Sequence, residues 1–146
     1  MNILEHFKSI KTFIFDVDGV LATDHMLVLE GGELARSMNS KDGYALQLAV
    51  KKGYRVVIIS GGLSEGVKVR LNRLGITDVF LGVTQKKEKL EQYIAEHNLQ
   101  IAEILYMGDD IPDHACMQLV GFPCCPADAV PEIKEISKYI SPVNGG

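Results

Sequence analysis

Short apolar runs at residues 12–15, 55–59, 79–81 and 104–107 punctuate this chain, and stretches of helical periodicity fill the intervals between them. Runs of three to five residues rich in Val, Ile and Phe, with no polar alternation, read as strands buried on both faces. Such strands, separated by helices, need right-handed crossovers that place helices over both faces of a parallel sheet. The expected fold is α/β: a three-layer, Rossmann-like core around a central parallel sheet.

The intervals follow the same grammar. Residues 1–11 place Ile3, Leu4, Phe7 and Ile10 at helical spacing, interrupted by His6, Lys8 and Lys11. That pattern predicts a short amphipathic helix and differs from the unbroken apolar run of a signal peptide. The runs 26–29 and 34–38 around Gly31 and Gly32 predict a β-hairpin. A helix over 42–52 is expected to turn Ala45, Leu48 and Ala49 inward and to end at Gly53. Ser64 is expected to cap a helix with Val67, Leu71 and Leu74 inward and Gly75 after it. Leu90, Tyr93 and Ile94 share one stripe of a helix over 86–97, with His97 at its boundary. A helix over 112–120, a strand over 122–125 and a helix over 131–138 complete the series.

With 146 residues the chain has the length of one domain, residues 1–146. A formal net charge of −4 weighs against nucleic acid or an acidic membrane as a partner. No apolar stretch reaches the roughly 18 residues of a membrane span. Cys116, Cys124 and Cys125 are an odd set without an extracellular cue. They are expected to be reduced, small buried hydrophobes on a strand of a cytoplasmic protein. The four histidines show no ligand-like spacing.

The reactive residues cluster where strands end. Asp16 and Asp18 follow the first run, Ser60 and Gly61 the second, Lys86 opens the helix after the third, and Asp109 and Asp110 follow the fourth. In an open parallel sheet the ligand site lies beyond those carboxyl ends. The amino ends, by contrast, read as ordinary loops. Carboxylates gathered into one cleft repel one another and call for a cation. All the nearby donors are oxygens, so a hard ion such as Mg²⁺ is the expected partner. Phosphoryl transfer uses such an arrangement: the cation offsets negative charge while a carboxylate attacks, and a hydroxyl (Ser60) and an ammonium (Lys86) are suitable donors to the phosphoryl oxygens. Asp24 and Glu65 read as surface carboxylates near the mouth.

These residues carry a resemblance to the haloacid dehalogenase superfamily along almost the whole chain. Its four motifs occur in order: Asp16-Val17-Asp18-Gly19-Val20, Ile59-Ser60-Gly61, Lys86, and Gly108-Asp109-Asp110 with Asp113. The resemblance implies a Mg²⁺-dependent phosphomonoesterase in which Asp16 is the nucleophile and a metal ligand. Asp18 would be the general acid and base, with its backbone carbonyl on the metal. Ser60, Gly61 and Lys86 would bind the phosphoryl group, Asp109 would complete the metal ligands, and Asp110 and Asp113 would support them. Lys86, rather than Lys87 or Lys89, has the family's spacing of four residues from Gly82.

Only 41 residues lie between Asp18 and Ser60 and 25 between Ser60 and Lys86, which leaves room for a hairpin flap after strand 1 but for no cap domain. The chain most resembles the capless sugar-acid phosphatases, which act on 3-deoxy-D-manno-octulosonate 8-phosphate (KDO 8-phosphate) and belong to lipopolysaccharide biosynthesis. Their relatives act on nine-carbon ulosonate 9-phosphates. That group forms homotetramers in which neighbours cover the sites. The chain differs at Ala22-Thr23-Asp24-His25, where the family continues Thr-Asp-Gly, and closes at Gly145-Gly146, where the family continues with Gly-Gly-x-Gly, an arginine and a glutamate. Three rivals are a phospho-receiver domain, a phosphotransferase and a non-catalytic phosphatase-like oligomerisation domain. A receiver has its acidic pair on the first strand instead of the last.

Overall fold

The computed structural model describes residues 2–146, so Met1 of the expected first helix lies outside the described residues. Six strands form one parallel sheet: β1 (Thr12–Phe15), β4 (Arg55–Ile59), β5 (Asp78–Phe80), β6 (Ile104–Met107), β7 (Phe122–Cys125) and β8 (Tyr139–Ile140). Their order across the sheet is β5-β4-β1-β6-β7-β8. The chain moves outward from β1 through β4 to β5, then returns to the other side of β1 with β6. That reversal at β1 and β6 is the topological switch point where α/β sheets open a crevice.

Alternate residues of these strands face opposite layers. One layer, α4 (Lys86–Glu96), α5 (His114–Leu119) and α6 (Pro131–Ile136), packs on Ile14, Val57, Ile59, Ile104 and Tyr106. The other, α2 (Ser40–Lys51) and α3 (Glu65–Arg73), packs on Val56 and Ile58. Beside it Phe7 of α1 (Ile3–Phe7), with the buried Ile10 that follows the helix, covers Leu105, Phe122 and Cys124. The chain is thus the expected three-layer α/β fold. The insertion between β1 and α2 is a small hairpin of β2 (Leu27–Val28) and β3 (Leu34–Ala35), with no cap domain.

Several boundaries and one face differ from the sequence reading. α1 is shorter than residues 1–11, and β5 starts one residue early. α2 starts at Ser40 because the Asn39 side chain accepts from the Lys41 and Asp42 N–H groups, at 2.8 and 3.4 Å. Its buried residues are Gly43 and Leu46, while Ala45 is exposed and Leu48 is 42% exposed. A Cβ at Gly43 would lie 2.5 Å from the Arg70 guanidinium, so the glycine stripe, not the alanine stripe, lets α3 approach. The helix expected over 112–120 divides into a 3₁₀ turn, Ile111–Asp113, and α5. The last helix stops at Ile136, and the chain adds the unexpected edge strand β8. All three cysteines are buried and free, but Cys116 lies on α5 instead of a strand.

Candidate active site

Parallel register sets the level of the site residues at the strand ends. Phe15 pairs with Ile58 on one side and Met107 on the other, so Asp16, Ser60 and Asp109 leave the sheet beside one another. The Asp16 N–H donates to the Met107 carbonyl at 3.2 Å, and the Ser60 N–H to the Phe80 carbonyl at 2.9 Å. They open onto a cleft of about 260 Å³ lined by Asp16, Asp18, Ser60, Gly61, Lys86 and Asp109, with Asp24 and Asp110 at its mouth.

At its floor, Lys86 and Asp113 are almost fully buried and Asp16 nearly so. The Lys86 ammonium stands 3.0 Å from Asp16 Oδ2 and 2.9 Å from Asp113 Oδ1. Asp113 also accepts from the Tyr106 hydroxyl at 2.9 Å and from the Asp109 N–H at 3.2 Å. Asp16 Oδ1 accepts the Val17 N–H at 2.7 Å. Ser60 Oγ accepts the Gly62 N–H at 3.3 Å. The Asp18 carboxylate is held by Arg36, with Nε at 2.6 Å from Oδ1. Asp110 is exposed and caps the 3₁₀ turn by accepting the Ile111 N–H at 2.8 Å.

Burial, then the neighbouring Asp113 charge, pushes the Asp16 carboxyl up to about 7, against the pull of Lys86. Burial and the Asp16 and Asp113 charges push Asp109 up to about 7 as well. Burial alone would lower Lys86, but Asp113 and Asp16 outweigh it and hold the ammonium above its usual range. Oxygens of Asp16, Asp109 and Asp113 lie within 4.8 Å of one another. One ammonium among three carboxylates leaves excess negative charge, and the donors are all hard oxygens, so the residues fit a magnesium ion. Both Asp113 oxygens are already engaged by Lys86, Tyr106 and the Asp109 N–H, which suits it to orienting the others. Gly19, at φ +85°, lies against Asp109 so closely that a Cβ there would overlap the carboxylate.

A family model described as haloacid dehalogenase-like hydrolase matches residues 69–145, more than half of the chain. The chain belongs to the haloacid dehalogenase-like hydrolases. This hydrolase is 29% identical over 145 residues to the 3-deoxy-D-manno-octulosonate 8-phosphate phosphatase KdsC of Yersinia pestis, covering 99% of this chain and 78% of that one. A solved 3-deoxy-D-manno-octulosonate 8-phosphate phosphatase from Moraxella catarrhalis, in complex with magnesium ion, phosphate ion and KDO, superposes with TM-score 0.93 at 28% identity. That match covers 99% of this chain and 83% of the other. The cobalt-bound deoxy-D-mannose-octulosonate 8-phosphate phosphatase from Haemophilus influenzae gives TM-score 0.91 at 27% identity, covering 97% and 82%.

In this haloacid dehalogenase-like hydrolase, the residues expected from sequence at 16, 18, 60, 61, 86 and 109 meet in one cleft, and Asp113 joins them from beneath. Two participants were not foreseen. Tyr106 lies within an apolar strand run that gives no sign of its hydroxyl, and burial drives its pKa upward. Arg36 follows a two-residue strand and bears no motif. The amino ends of the strands are also less plain than expected. A cleft of about 480 Å³ there is lined by Arg55 and Asp78 among others. Arg55 donates to the Tyr93 hydroxyl at 3.0 Å, and that hydroxyl donates to Asp78. Those groups satisfy one another and gather no set of carboxylates.

Proposed function

We propose that this hydrolase is a Mg²⁺-dependent phosphomonoesterase working through an aspartyl-phosphate on Asp16, with residues 1–146 as one catalytic domain. The observation that carries the reading is a nearly buried carboxylate at a strand end, fixed by an equally buried ammonium and flanked by a second free carboxylate on the cleft. Asp16 and Asp109 would hold the metal through their carboxylates, and Asp18 through its backbone carbonyl. Bound there, Mg²⁺ would offset the negative charge of the carboxylates and of the phosphoryl oxygens.

The protein's own groups supply the remaining steps. An Asp16 oxygen attacks phosphorus as the bond to the ester oxygen breaks, and protonated Asp18 gives its proton to that leaving oxygen. Ionised Asp18 then takes a proton from water, whose oxygen attacks phosphorus, releasing phosphate and restoring Asp16. Lys86 and the Ser60 hydroxyl face the phosphoryl oxygens, and Lys86 also keeps Asp16 oriented. Asp113, Tyr106 and Asp110 hold the surrounding groups in place.

The named relatives support a phosphorylated 2-keto-3-deoxy sugar acid of the KDO 8-phosphate type as substrate. A hairpin with Leu27 at 64% and Val28 at 71% exposure supports assembly into a tetramer whose neighbours cover the cleft. No described helix is long and apolar enough to cross a membrane. The test is a panel of KDO 8-phosphate, nine-carbon ulosonate 9-phosphates and hexose phosphates, each with Mg²⁺ or a chelator. Metal-dependent release of phosphate, fastest from a sugar-acid ester, is expected. A flat profile rejects the sugar acid, and no release from any ester rejects the phosphatase.

A further inference from the structure

Arg36 takes no part in the bond-making steps, yet its side chain is only 6% exposed and grips Asp18 at two points. Nε donates to Asp18 Oδ1 at 2.6 Å and Nη2 to Oδ2 at 3.2 Å. This two-pronged contact fixes the plane of a carboxylate as well as its position. Nη1 turns back to the Leu34 carbonyl at 3.4 Å, so the guanidinium stays tied to the hairpin that carries it. Without that grip, Asp18 has staggered side-chain wells to choose among, and only a fraction of its time aims at the leaving oxygen.

Gly62 makes the grip sterically feasible. A Cβ at Gly62 would lie 2.7 Å from Arg36 Nη2 and 2.9 Å from Asp18 Oδ2. The loop after β4 therefore lacks a side chain where the guanidinium passes. Arg36, Gly62 and Asp18 come from the hairpin, the loop after β4 and the loop after β1, and they meet at one point beside the cleft.

We propose that Arg36 is a positioning residue that aims Asp18 at the leaving-group oxygen, and that Gly62 admits the guanidinium to do so. The inference rests on Asp18 as the general acid of the proposed phosphatase. It predicts a loss that depends on the leaving group. An alkoxide needs a proton to depart, whereas p-nitrophenolate leaves without one. General acid catalysis contributes about 10²–10⁴ in rate, and orientation is part of that.

The experiment compares kcat/KM, which reports phosphorylation of Asp16 and not its later hydrolysis. Wild type, Arg36→Ala, Gly62→Ala and the double variant are assayed with Mg²⁺ on an alkyl phosphate and on p-nitrophenyl phosphate, each protein first shown by its melting curve to be folded. Arg36→Ala is expected to lose about 10- to 100-fold on the alkyl ester and far less on the aryl ester. Gly62→Ala should give the same selective loss, because the new methyl would meet both Arg36 Nη2 and Asp18 Oδ2 and part the two. The double variant should be no worse than Arg36→Ala alone, since both changes remove one device. Equal losses on both esters, or Gly62→Ala losses that multiply those of Arg36→Ala, would overturn the inference and leave the phosphatase standing. If Arg36→Ala does not fold, Arg36→Lys, which keeps the charge and loses the two-pronged contact, decides through the same ratio of esters. Wild type inactive on every sugar phosphate of the panel above and on p-nitrophenyl phosphate would instead overturn the phosphatase reading, and this inference with it.

Discussion

Lys86 stands within 3.0 Å of one carboxylate and 2.9 Å of another, and all three groups are nearly or fully buried. Removing a single member of such a set leaves uncompensated charge in a medium that solvates it poorly. Lys86→Met is therefore expected to lower unfolding free energy by about 3–5 kcal/mol, measured by urea denaturation. Tyr106→Phe removes one donor from Asp113 and should cost about 1–3 kcal/mol in the same experiment. The raised carboxyls also fix a pH dependence. Asp16 and Asp109 titrate near 7 when folded, far above the ordinary carboxylate value of 3.8 that applies when unfolded. Between those values the folded state keeps protons that the unfolded state has released, so the contribution is fully present below about pH 4. It is lost as pH rises through about 7. In chelator, thermal melts should show stability from these groups falling over that window, and Asp109→Asn should flatten the fall. Mg²⁺ should raise the melting temperature more at about pH 8 than at about pH 5, because only the ionised pair binds it well. A larger Mg²⁺ effect in acid would contradict this.

Among the elements, those carried by strong local patterns were legible in the sequence. β1, β4, β6 and β7 occupy the expected residues, and Ser64 caps α3 by accepting the Val67 N–H at 3.3 Å. Legibility of the site followed from that, because motif residues at strand ends need only the sheet to bring them together. What remained hidden was non-local. The buried face of α2 depends on Gly43 meeting Arg70 of α3, and β8 is too short to carry a period. Arg36 reaches a partner 18 residues away through a hairpin whose own sequence reveals only a turn. α3 also gives a test of element packing that stands apart from chemistry. Leu71 is completely buried between α3 and the sheet. Leu71→Ala should cost about 2–5 kcal/mol by urea denaturation while KM stays within error. A large change in KM would mean that α3 shapes the cleft more directly than its packing indicates.

The whole molecule places its carboxylate cluster at one end of the sheet, at the switch point between β1 and β6, and a self-satisfied polar cluster at the other. A hairpin stands beside the cleft, and in the proposed tetramer other copies of the chain would close it over a substrate. Light scattering is expected to give the mass of a tetramer, and a monomer fully active on sugar-acid phosphate would remove that part of the account. The chemistry itself has a more direct readout. Mixing enzyme, Mg²⁺ and a turned-over ester, quenching in acid within the first turnover and measuring the intact mass tests the covalent step. One added phosphoryl group, mapped to Asp16 and absent from an inert Asp16→Asn variant, is the predicted result. An Asp16→Asn variant that turns over like wild type, or a phosphoryl group on any other residue, would contradict it.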